Sequence, residues 1–355
     1  MPIPAQPRTP RPWRTRSLVT IASACLAATA LPPSPASAAD ALPTSVQACQ
    51  AMFDSKNDTT WRAADGNITV TLPNGKLVWL FGDTLRKDRP AVHNSILVQE
   101  GSRLTSTTGG QALPNESDGD YYWPTDAIVD GGLLRAFVGR VETVNGSFRG
   151  RGVALATFTL DSRGYPIYSG KRTITTASED AGVQWGTSVV RDGSTVYVYG
   201  QQRRLGDYLF GRDAYLAKVP AGSLSDLSAW RYRSGTGWTS DRSQATRIEA
   251  AETGRFSSSF SVDKVGGKWV VTSKENDFVG DKIIRMEAPY PWGPFKTTSS
   301  ISTPGTATEW AYQPKGHPEL ALGTGRLLVT WNEGSSDTSL LADTYFPKPK
   351  CGEVG

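Results

Sequence analysis

Two aspartates and a histidine hold comparable positions in separate parts of this sequence. Asp65 lies in Ala-Asp-Gly (64–66), Asp126 ends Trp-Pro-Thr-Asp (123–126) and His317 lies in Gly-His-Pro (316–318). Gathered in one cavity, such groups can act on a glycosidic bond: one carboxylate activates water, an acid protonates the leaving oxygen, and a further charged group adjusts their pKa values. The alternative is structural, with Asp65 capping a turn and Asp126 hydrogen-bonding to neighbouring strands. The pattern makes Asp65 and Asp126 candidate catalytic residues.

Further acids follow short runs that are rich in aromatic residues. Asp83 closes Trp-Leu-Phe-Gly-Asp (79–83), where hydrogen bonds to backbone donors favour a turn-fixing role over catalysis; contact with substrate is the alternative. Glu275 comes three residues after Trp-Val-Val-Thr (269–272) and is a candidate general acid. Glu333 is expected to face solvent.

His317 is one of two histidines in the chain, and no His/Cys cluster accompanies it, which argues against zinc. It is predicted to contact substrate, with a packed core histidine as the alternative. A structural calcium ion beside it is a second possibility, since calcium needs only oxygen ligands. No other cofactor is expected, because Walker, dinucleotide-binding, Gly-x-Ser-x-Gly and His-Glu-x-x-His motifs are missing. Four tryptophans stand beside the candidate positions and can stack on sugar rings: Trp61, Trp123, Trp185 and Trp310.

These residues need elements that bring them together, and the sequence offers short β-type runs between Gly, Asn, Asp and Pro turns. Five segments share a strand, a Gly-containing turn and an aromatic-rich strand. They open at Trp61, Trp123, Trp185, Phe256 and Tyr312, at spacings of 62, 62, 71 and 56 residues. The repeat predicts an all-β, five-bladed β-propeller whose first strands line a central channel. A β-sandwich is the alternative, but it does not explain the fivefold pattern.

The formal charge of +4 in this 355-residue chain comes from its N-terminus. Residues 1–38 contain four arginines and no acid, then an apolar run and Ala-Ser-Ala (36–38), whereas the rest of the chain has 34 basic and 34 acidic residues. This order predicts a cleaved signal peptide over 1–38 and a secreted protein; a membrane anchor is the alternative, but the apolar run is shorter than the ~20 residues that a spanning helix needs. The neutral remainder gives no support for nucleic-acid or membrane binding.

Cleavage after residue 38 would remove Cys25 and leave Cys49 and Cys351, one near each end of the remaining chain. In an oxidising compartment this placement predicts a disulfide that holds a ring-shaped fold closed, over a single domain of residues 39–355. Two unrelated thiols are the alternative.

Several segments resemble a family of secreted bacterial five-bladed propellers, long catalogued as a domain of unknown function, some of whose members are endo-D-arabinofuranases. The resembling segments are 61–66, 72–75, 79–84, 93–95, 122–124, 185–186 and 313–320, within a match over about 55–346. The chain is also similar to the broader furanosidase propellers, which include arabinanases and fructan hydrolases. The resemblance implies a glycan site on the axis, with Asp65 as the first-blade carboxylate, Asp126 as the second-blade acid and Asn94 near the substrate. The usual third-blade glutamate has no counterpart in Trp-Gly-Thr-Ser (185–188).

Three functions are compatible with this pattern. A secreted glycoside hydrolase that cleaves furanosidic linkages in an arabinan- or arabinogalactan-like polysaccharide is favoured by the predicted convergence of Asp65, Asp126 and His317. A non-catalytic carbohydrate-binding propeller is favoured by the missing third-blade acid. A protein-interaction scaffold is the third. We expect a monomer whose partner is a polysaccharide.

Overall fold

The structure is a computed structural model that describes residues 42–178, 181–204, 212–248, 250, 256–306, 308–335 and 348–355. The predicted signal peptide, residues 1–38, lies outside these ranges. Within them the chain is nearly all β, as predicted. No helix in the described ranges has both the length and the apolar character needed to cross a bilayer.

In the described ranges, one α-helix and three 3-10 turns accompany the strands. Helix α1 (Val46–Ser55) begins where the Ser45 hydroxyl accepts a hydrogen bond from the Ala48 N–H at 3.1 Å, an N-cap that satisfies one of the free amides of the first turn. The 3-10 turns are Leu227–Ala229, Arg242–Gln244 and Asp277–Val279. The strands are β1 Ala63–Ala64, β2 Ile68–Thr71, β3 Leu77–Phe81, β4 Thr84–Arg86, β5 Arg89–Val92, β6 Ser95–Glu100, β7 Arg103–Ser106, β8 Tyr121–Asp130, β9 Leu133–Val144, β10 Ser147–Leu160, β11 Pro166–Thr175, β12 Gln184–Asp192, β13 Thr195–Arg203, β14 Arg212–Pro220, β15 Arg231–Ser234, β16 Gly237–Thr239, β17 Ser261–Val265, β18 Lys268–Lys274, β19 Lys282–Ala288, β20 Lys296–Ser302, β21 Glu309–Ala321, β22 Leu327–Ser335 and β23 Lys350–Val354.

These strands form six antiparallel sheets. In five of them the spatial order follows the chain: sheet 1 is β2-β3-β6-β7, sheet 2 is β8 to β11, sheet 3 is β12 to β16, sheet 4 is β17 to β20 and sheet 5 is β21 to β23. The sixth sheet, β1-β4-β5, is small. In the chain, β1 precedes the first strand of sheet 1, and β4 and β5 lie between its strands β3 and β6.

The first strands of the five larger sheets contact one another in a closed cycle: β2 with β8, β8 with β12, β12 with β17, β17 with β21, and β21 with β2. Five hydrophobic clusters follow the same order, because each lies between two consecutive sheets. The second strand of each sheet therefore has a buried neighbour on both faces. Strand β3 illustrates this: Val78 and Leu80 pack toward sheet 2, whereas Trp79 and Phe81 pack toward sheet 5 and α1.

The predicted disulfide between Cys49 and Cys351 is confirmed. It joins α1 to β23, the last strand of sheet 5, across a sequence separation of 302 residues. Both cysteines pack in the hydrophobic cluster that also contains Phe53 and Trp79, between sheet 5 and sheet 1. The bond thus ties α1 to the point at which the cycle of sheets closes.

Replacing both cysteines with serine is expected to lower the free energy of unfolding by roughly 2–5 kcal/mol, because the disulfide restricts a very long loop in the unfolded chain. Urea unfolding of the oxidised protein and of the double variant measures the difference. Adding a reductant should weaken the wild type and leave the variant unchanged; an equal response in both would contradict the prediction.

Candidate active site

Asp65 lies just before β2, at the place where β3 ends. The Gly82 N–H donates to the Asp65 carbonyl at 2.7 Å, and the Asp65 N–H donates to the Asp83 carbonyl at 3.2 Å, so the two segments are held side by side. The Asp65 carboxylate also accepts hydrogen bonds from the Asp83 N–H and from the hydroxyl of Tyr312 in β21. Residues of sheets 1 and 5 thereby position this carboxylate together.

Gly82 allows the close approach that this site requires. A Cβ at position 82 would lie 2.4 Å from Asp65 Oδ1 and 3.6 Å from Trp123 Cδ1. Any other residue would push the carboxylate away from the strand end, which explains the glycine in Phe-Gly-Asp (81–83) on steric grounds.

The electrostatic environment of Asp65 favours its protonated form. Burial, and then the negative charge of neighbouring Asp83, raise the pKa of Asp65 well above the usual range, against the opposing effect of its hydrogen bonds. A carboxyl group with a raised pKa is a better proton acceptor when ionised, and it matches general acid/base work nearer neutral pH.

A row of aromatic rings leads outward from Asp65. The Trp123 indole Nε1 and the His93 Nδ1 both donate to Asp83 Oδ1, at 2.9 and 3.0 Å. His93 stacks on Tyr121 with ring centroids 3.6 Å apart, and Trp123 makes an edge contact with Phe148 at 5.0 Å. Asp83 therefore orients Trp123 beside the Asp65 carboxylate.

Lys315 occupies the axis of the ring. Its side chain is buried, and its Nζ donates to the carbonyls of Thr125, Thr187 and Phe260, at 2.7, 3.2 and 3.2 Å. Thr125 lies in β8, Thr187 lies in β12 and Phe260 directly precedes β17, so the three carbonyls come from the first strands of sheets 2 and 3 and from the residue before sheet 4. Thr125 and Thr187 lie at register shifts in β8 and β12, where a bulged residue is released from the ladder.

Beside Lys315 is a small cavity of about 60 Å³ that three carboxyl groups line: Asp126, Asp263 and Glu319. Burial raises the pKa of all three groups, to about 7 for Glu319 and well above the usual range for Asp263, and the Lys315 charge opposes this for the two aspartates. Asp126 Oδ2 accepts from the Val189 N–H at 2.8 Å. The charge states of these buried groups therefore depend on one another.

The contact between Asp126 and Val189 belongs to a repeated pattern that links neighbouring first strands. The Ser188 hydroxyl accepts from the Val262 N–H at 2.9 Å, and the Ser261 hydroxyl accepts from the Gly316 N–H at 2.8 Å. Asp126 thus bridges two strands, as its structural alternative predicts, while the carboxylate also faces the axial cavity. Within the described residues, no hydrogen bond or ion pair joins Asp126 to Asp65.

His317 is fully buried, and both of its ring nitrogens are engaged. Nδ1 lies 2.8 Å from the Thr69 hydroxyl and Nε2 lies 2.7 Å from the Thr330 hydroxyl. Burial and the Lys315 charge lower the pKa of His317 to about 3, so the ring is neutral. The described residues contain no group of three His, Cys, Asp or Glu arranged to hold a metal ion, and a calcium ion beside His317 stays a prediction.

The remaining predicted site residues lie in different surroundings. Trp61 has no exposed surface and packs on Phe53 and Phe81, so its ring belongs to the core in this structure. Trp185 is 1% exposed and packs on Trp230 and Tyr232.

Asn94 and Glu275 complete the predicted set. Asn94 is buried; it accepts from the Leu113 N–H at 2.7 Å and donates to the Tyr122 carbonyl at 3.0 Å, which fastens the segment before sheet 2. Glu275 is half-buried and follows β18, and the end of β18 adjoins the start of β17 as the end of β3 adjoins Asp65. Its role as general acid stays a prediction.

Four residues were missed at the sequence level: Tyr312, which contacts Asp65, and Lys315, Asp263 and Glu319, which line the axial cavity. Tyr312 and Lys315 lie in the segment 312–320, which opens the fifth repeat, so their recurrence at a strand start was a usable signal. Nothing in the local sequence distinguishes Asp263 from an ordinary turn-flanking acid.

The fold and the site define a nearly all-β protein with a raised-pKa carboxyl group at the axial end of a closed cycle of sheets. The chain belongs to the family described as domain of unknown function DUF5005, whose model matches residues 50–354. No curated protein matches the sequence significantly.

Several solved structures share the fold. A Bacteroides ovatus protein provisionally assigned as a hydrolase has 19% identity and a TM-score of 0.66, over 86% of this chain and 88% of its own. The GH43_1 enzyme from Xanthomonas citri, complexed with xylotriose, has 15% identity and a TM-score of 0.52, over 87% and 93%. An N-acetylgalactosamine deacetylase from F. plautii has 12% identity and a TM-score of 0.50, over 84% and 91%. At these identities the similarity concerns the fold.

Proposed function

We propose that residues 39–355 are a single five-bladed β-propeller, exported after removal of residues 1–38, and that it is a monomeric glycoside hydrolase. Sheets 1 to 5 are the blades, and the small β1-β4-β5 sheet is an addition to the first. The substrate is a furanose polymer of the arabinan or arabinogalactan type, and an endo-D-arabinofuranase is the specific activity that we propose. The proposal includes no cofactor, no nucleic acid and no membrane partner.

The observation that carries this proposal is the setting of Asp65. Its carboxylate is held by hydrogen bonds from sheets 1 and 5, its pKa is raised by burial and by Asp83, and an oriented tryptophan, Trp123, stands beside it. A proton-transfer group next to an aromatic ring suits a sugar, since the ring packs on the apolar face while the carboxylate acts on water or on the leaving oxygen.

In the reaction, Asp65 in its ionised form takes a proton from the attacking water. Glu275 is our candidate for the acid that protonates the leaving oxygen. Asp126 acts at a distance from the bond that breaks: it faces Lys315 and holds β12 through the Val189 N–H, so it supports the geometry of the site. The solved GH43_1 structure with xylotriose supports a polysaccharide substrate through its shared fold.

A panel of polymers tests the proposal. The purified protein is incubated with linear arabinan, bacterial arabinogalactan, fructan, xylan and a glucan, and new reducing ends are counted while the products are separated by chromatography. We expect oligosaccharide products from a furanose polymer. The absence of product from every furanose polymer would remove the enzymatic proposal.

A second function, carbohydrate binding without cleavage, is favoured by the third blade. Its first strand has Gly186 and Ser188 where a furanosidase propeller has a glutamate. Ser188 is engaged by Val262, and a Cβ at Gly186 would lie 2.1 Å from Phe137 atoms, so no acidic side chain fits at Gly186 without rearrangement. This function predicts saturable polysaccharide binding with no product after prolonged incubation.

A further inference from the structure

A pocket of about 240 Å³ has Trp123, the tryptophan next to the Asp65 site, in its lining. It is bounded by Trp123 and Phe148 of sheet 2, by Gln184 and Gln201 of sheet 3, and it reaches Ser258 before β17. Trp123 therefore lies near the Asp65 carboxylate, across Gly82, and also borders this pocket.

The outer wall of the pocket is a hairpin that extends beyond its sheet. Strand β9 pairs with β8 only as far as Val141, and β10 pairs with β11 only from Val153, so the hairpin tip between these residues is supported by β9–β10 pairing alone. Phe148 lies in this tip and is 60% exposed, yet it contacts the Trp123 ring edge-on. An exposed phenyl ring at a right angle to a tryptophan offers two apolar surfaces at a corner, which suits the face and edge of a sugar ring.

The polar lining also indicates a ligand. Gln201 is only 6% exposed, and within the described residues its Oε1 accepts no hydrogen bond. Because this oxygen has almost no accessible surface, the Gln201 side chain would have to turn toward the pocket to accept from a sugar hydroxyl, and that bond would offset the roughly 1–3 kcal/mol that an unpaired buried amide oxygen costs.

The charges of the lining exclude an ionic ligand as the best match. Among the described residues of the lining, Arg140 is the one that carries a charge, and its Nε donates to Asp120 at 2.7 Å while its guanidinium also pairs with Asp118. Since two carboxylates already neutralise this arginine, the pocket favours a neutral saccharide over a uronate or a phosphorylated sugar.

We propose that this pocket is a binding subsite for one neutral sugar unit of an oligosaccharide whose neighbouring unit lies at Asp65. The inference rests on the proposed function for the identity of the chain, but the subsite itself is a binding property. It makes Phe148 a residue that determines specificity for longer chains over short ones.

Calorimetric titration tests the subsite in an Asp65→Asn background, so that no ligand is cleaved. The probes are the hexaoses of linear arabinan, xylan and cellulose, together with arabinobiose. Adding Phe148→Ala is expected to raise the Kd of the preferred hexaose about 10-fold, with a smaller effect on the disaccharide. Tyr290→Ala is the matched control, because Tyr290 is 54% exposed but lies outside this pocket, after β19.

The outcomes separate the two proposals. An unchanged hexaose Kd in Phe148→Ala, an equal loss in Tyr290→Ala, or no binding of any hexaose overturns the subsite. Cleavage of polymer by the wild type combined with an unchanged Kd in Phe148→Ala leaves the proposed function intact and removes the subsite. Weaker binding in Phe148→Ala by a protein that cleaves no polymer supports the subsite and removes the hydrolase.

Discussion

Asp65→Asn is expected to lower kcat on the preferred furanose polymer by roughly 10²–10⁴-fold, the usual contribution of a positioned general acid or base. Asparagine keeps the size of the side chain and can still accept from the Tyr312 hydroxyl, so the site should keep its shape. It cannot accept a proton from water. Initial rates of reducing-end release at saturating substrate measure the effect, and a variant with more than half of the wild-type kcat would contradict the prediction.

The stability of Asp65→Asn separates lost chemistry from lost folding. The folded-state pKa of Asp65 is raised above its unfolded value, so the folded protein holds this proton more tightly, and its contribution to stability is lost as the pH rises through the folded pKa. Asparagine removes that loss. The variant should therefore be at least as stable as the wild type at pH 7 in urea unfolding, although it is inactive.

Asp263→Asn is the matched control for this experiment. Asp263 is also half-buried, and its pKa is also raised well above the usual range, but it lines the small axial cavity with Glu319. The same replacement of oxygen by an amide nitrogen should leave most of kcat in place. A loss as large as that of Asp65→Asn would mean that the axial cavity takes part in the reaction.

The general fold was accessible from the sequence because strand alternation and repeated turns are local signals. The run 77–81 is apolar at every position since each face of β3 meets a different neighbouring sheet, and the recurring glycine turns mark the hairpins. The disulfide was accessible from Cys49 and Cys351 alone. The small β1-β4-β5 sheet was not, because its strands have as few as two residues and no hydrophobic period.

The site was only partly accessible from the sequence, because its grouping depends on register. Asp65 and Asp126 occupy similar places in the repeat, yet Asp65 lies before its strand whereas Asp126 lies within β8, beyond a bulge. A shift of the strand register by one residue decides whether a side chain lies before the first strand, as Asp65 does, or beside the axial cavity, as Asp126 does. The bulges that release the carbonyls of Thr125 and Thr187 toward Lys315 have no sequence signature of comparable strength.

Lys315→Met is expected to have the largest effect on stability, a loss of roughly 3–5 kcal/mol in the free energy of unfolding. Methionine has a similar length but donates no hydrogen bond. The carbonyls of Thr125, Thr187 and Phe260 would lose their common donor, and the carboxyl groups of Asp126 and Asp263 would lose the nearby positive charge. Urea unfolding of the wild type and the variant at pH 7 measures the difference.

Lys274→Met is the control that isolates the axial position. Lys274 is equally buried, and burial lowers its pKa to about 8, but its Nζ donates to the Gly280 carbonyl of the loop that follows its own strand. That bond stays within sheet 4, so it joins no two sheets. A loss in Lys315→Met no greater than that in Lys274→Met would show that joining three strands at the axis adds nothing to stability.

The loss in the free energy of unfolding caused by Lys315→Met should depend on pH, because Lys315 faces carboxyl groups. Burial already raises the pKa of Asp126 and of Asp263, and removal of the lysine charge raises both further. A raised folded-state pKa means that stability is present at low pH and is lost as the pH rises through that pKa, so the deficit should be larger at pH 8 than at pH 5. Adding Asp126→Asn to Lys315→Met should recover part of the loss at pH 8, because one uncompensated charge disappears; a double variant whose losses simply add would show that the two groups are not coupled.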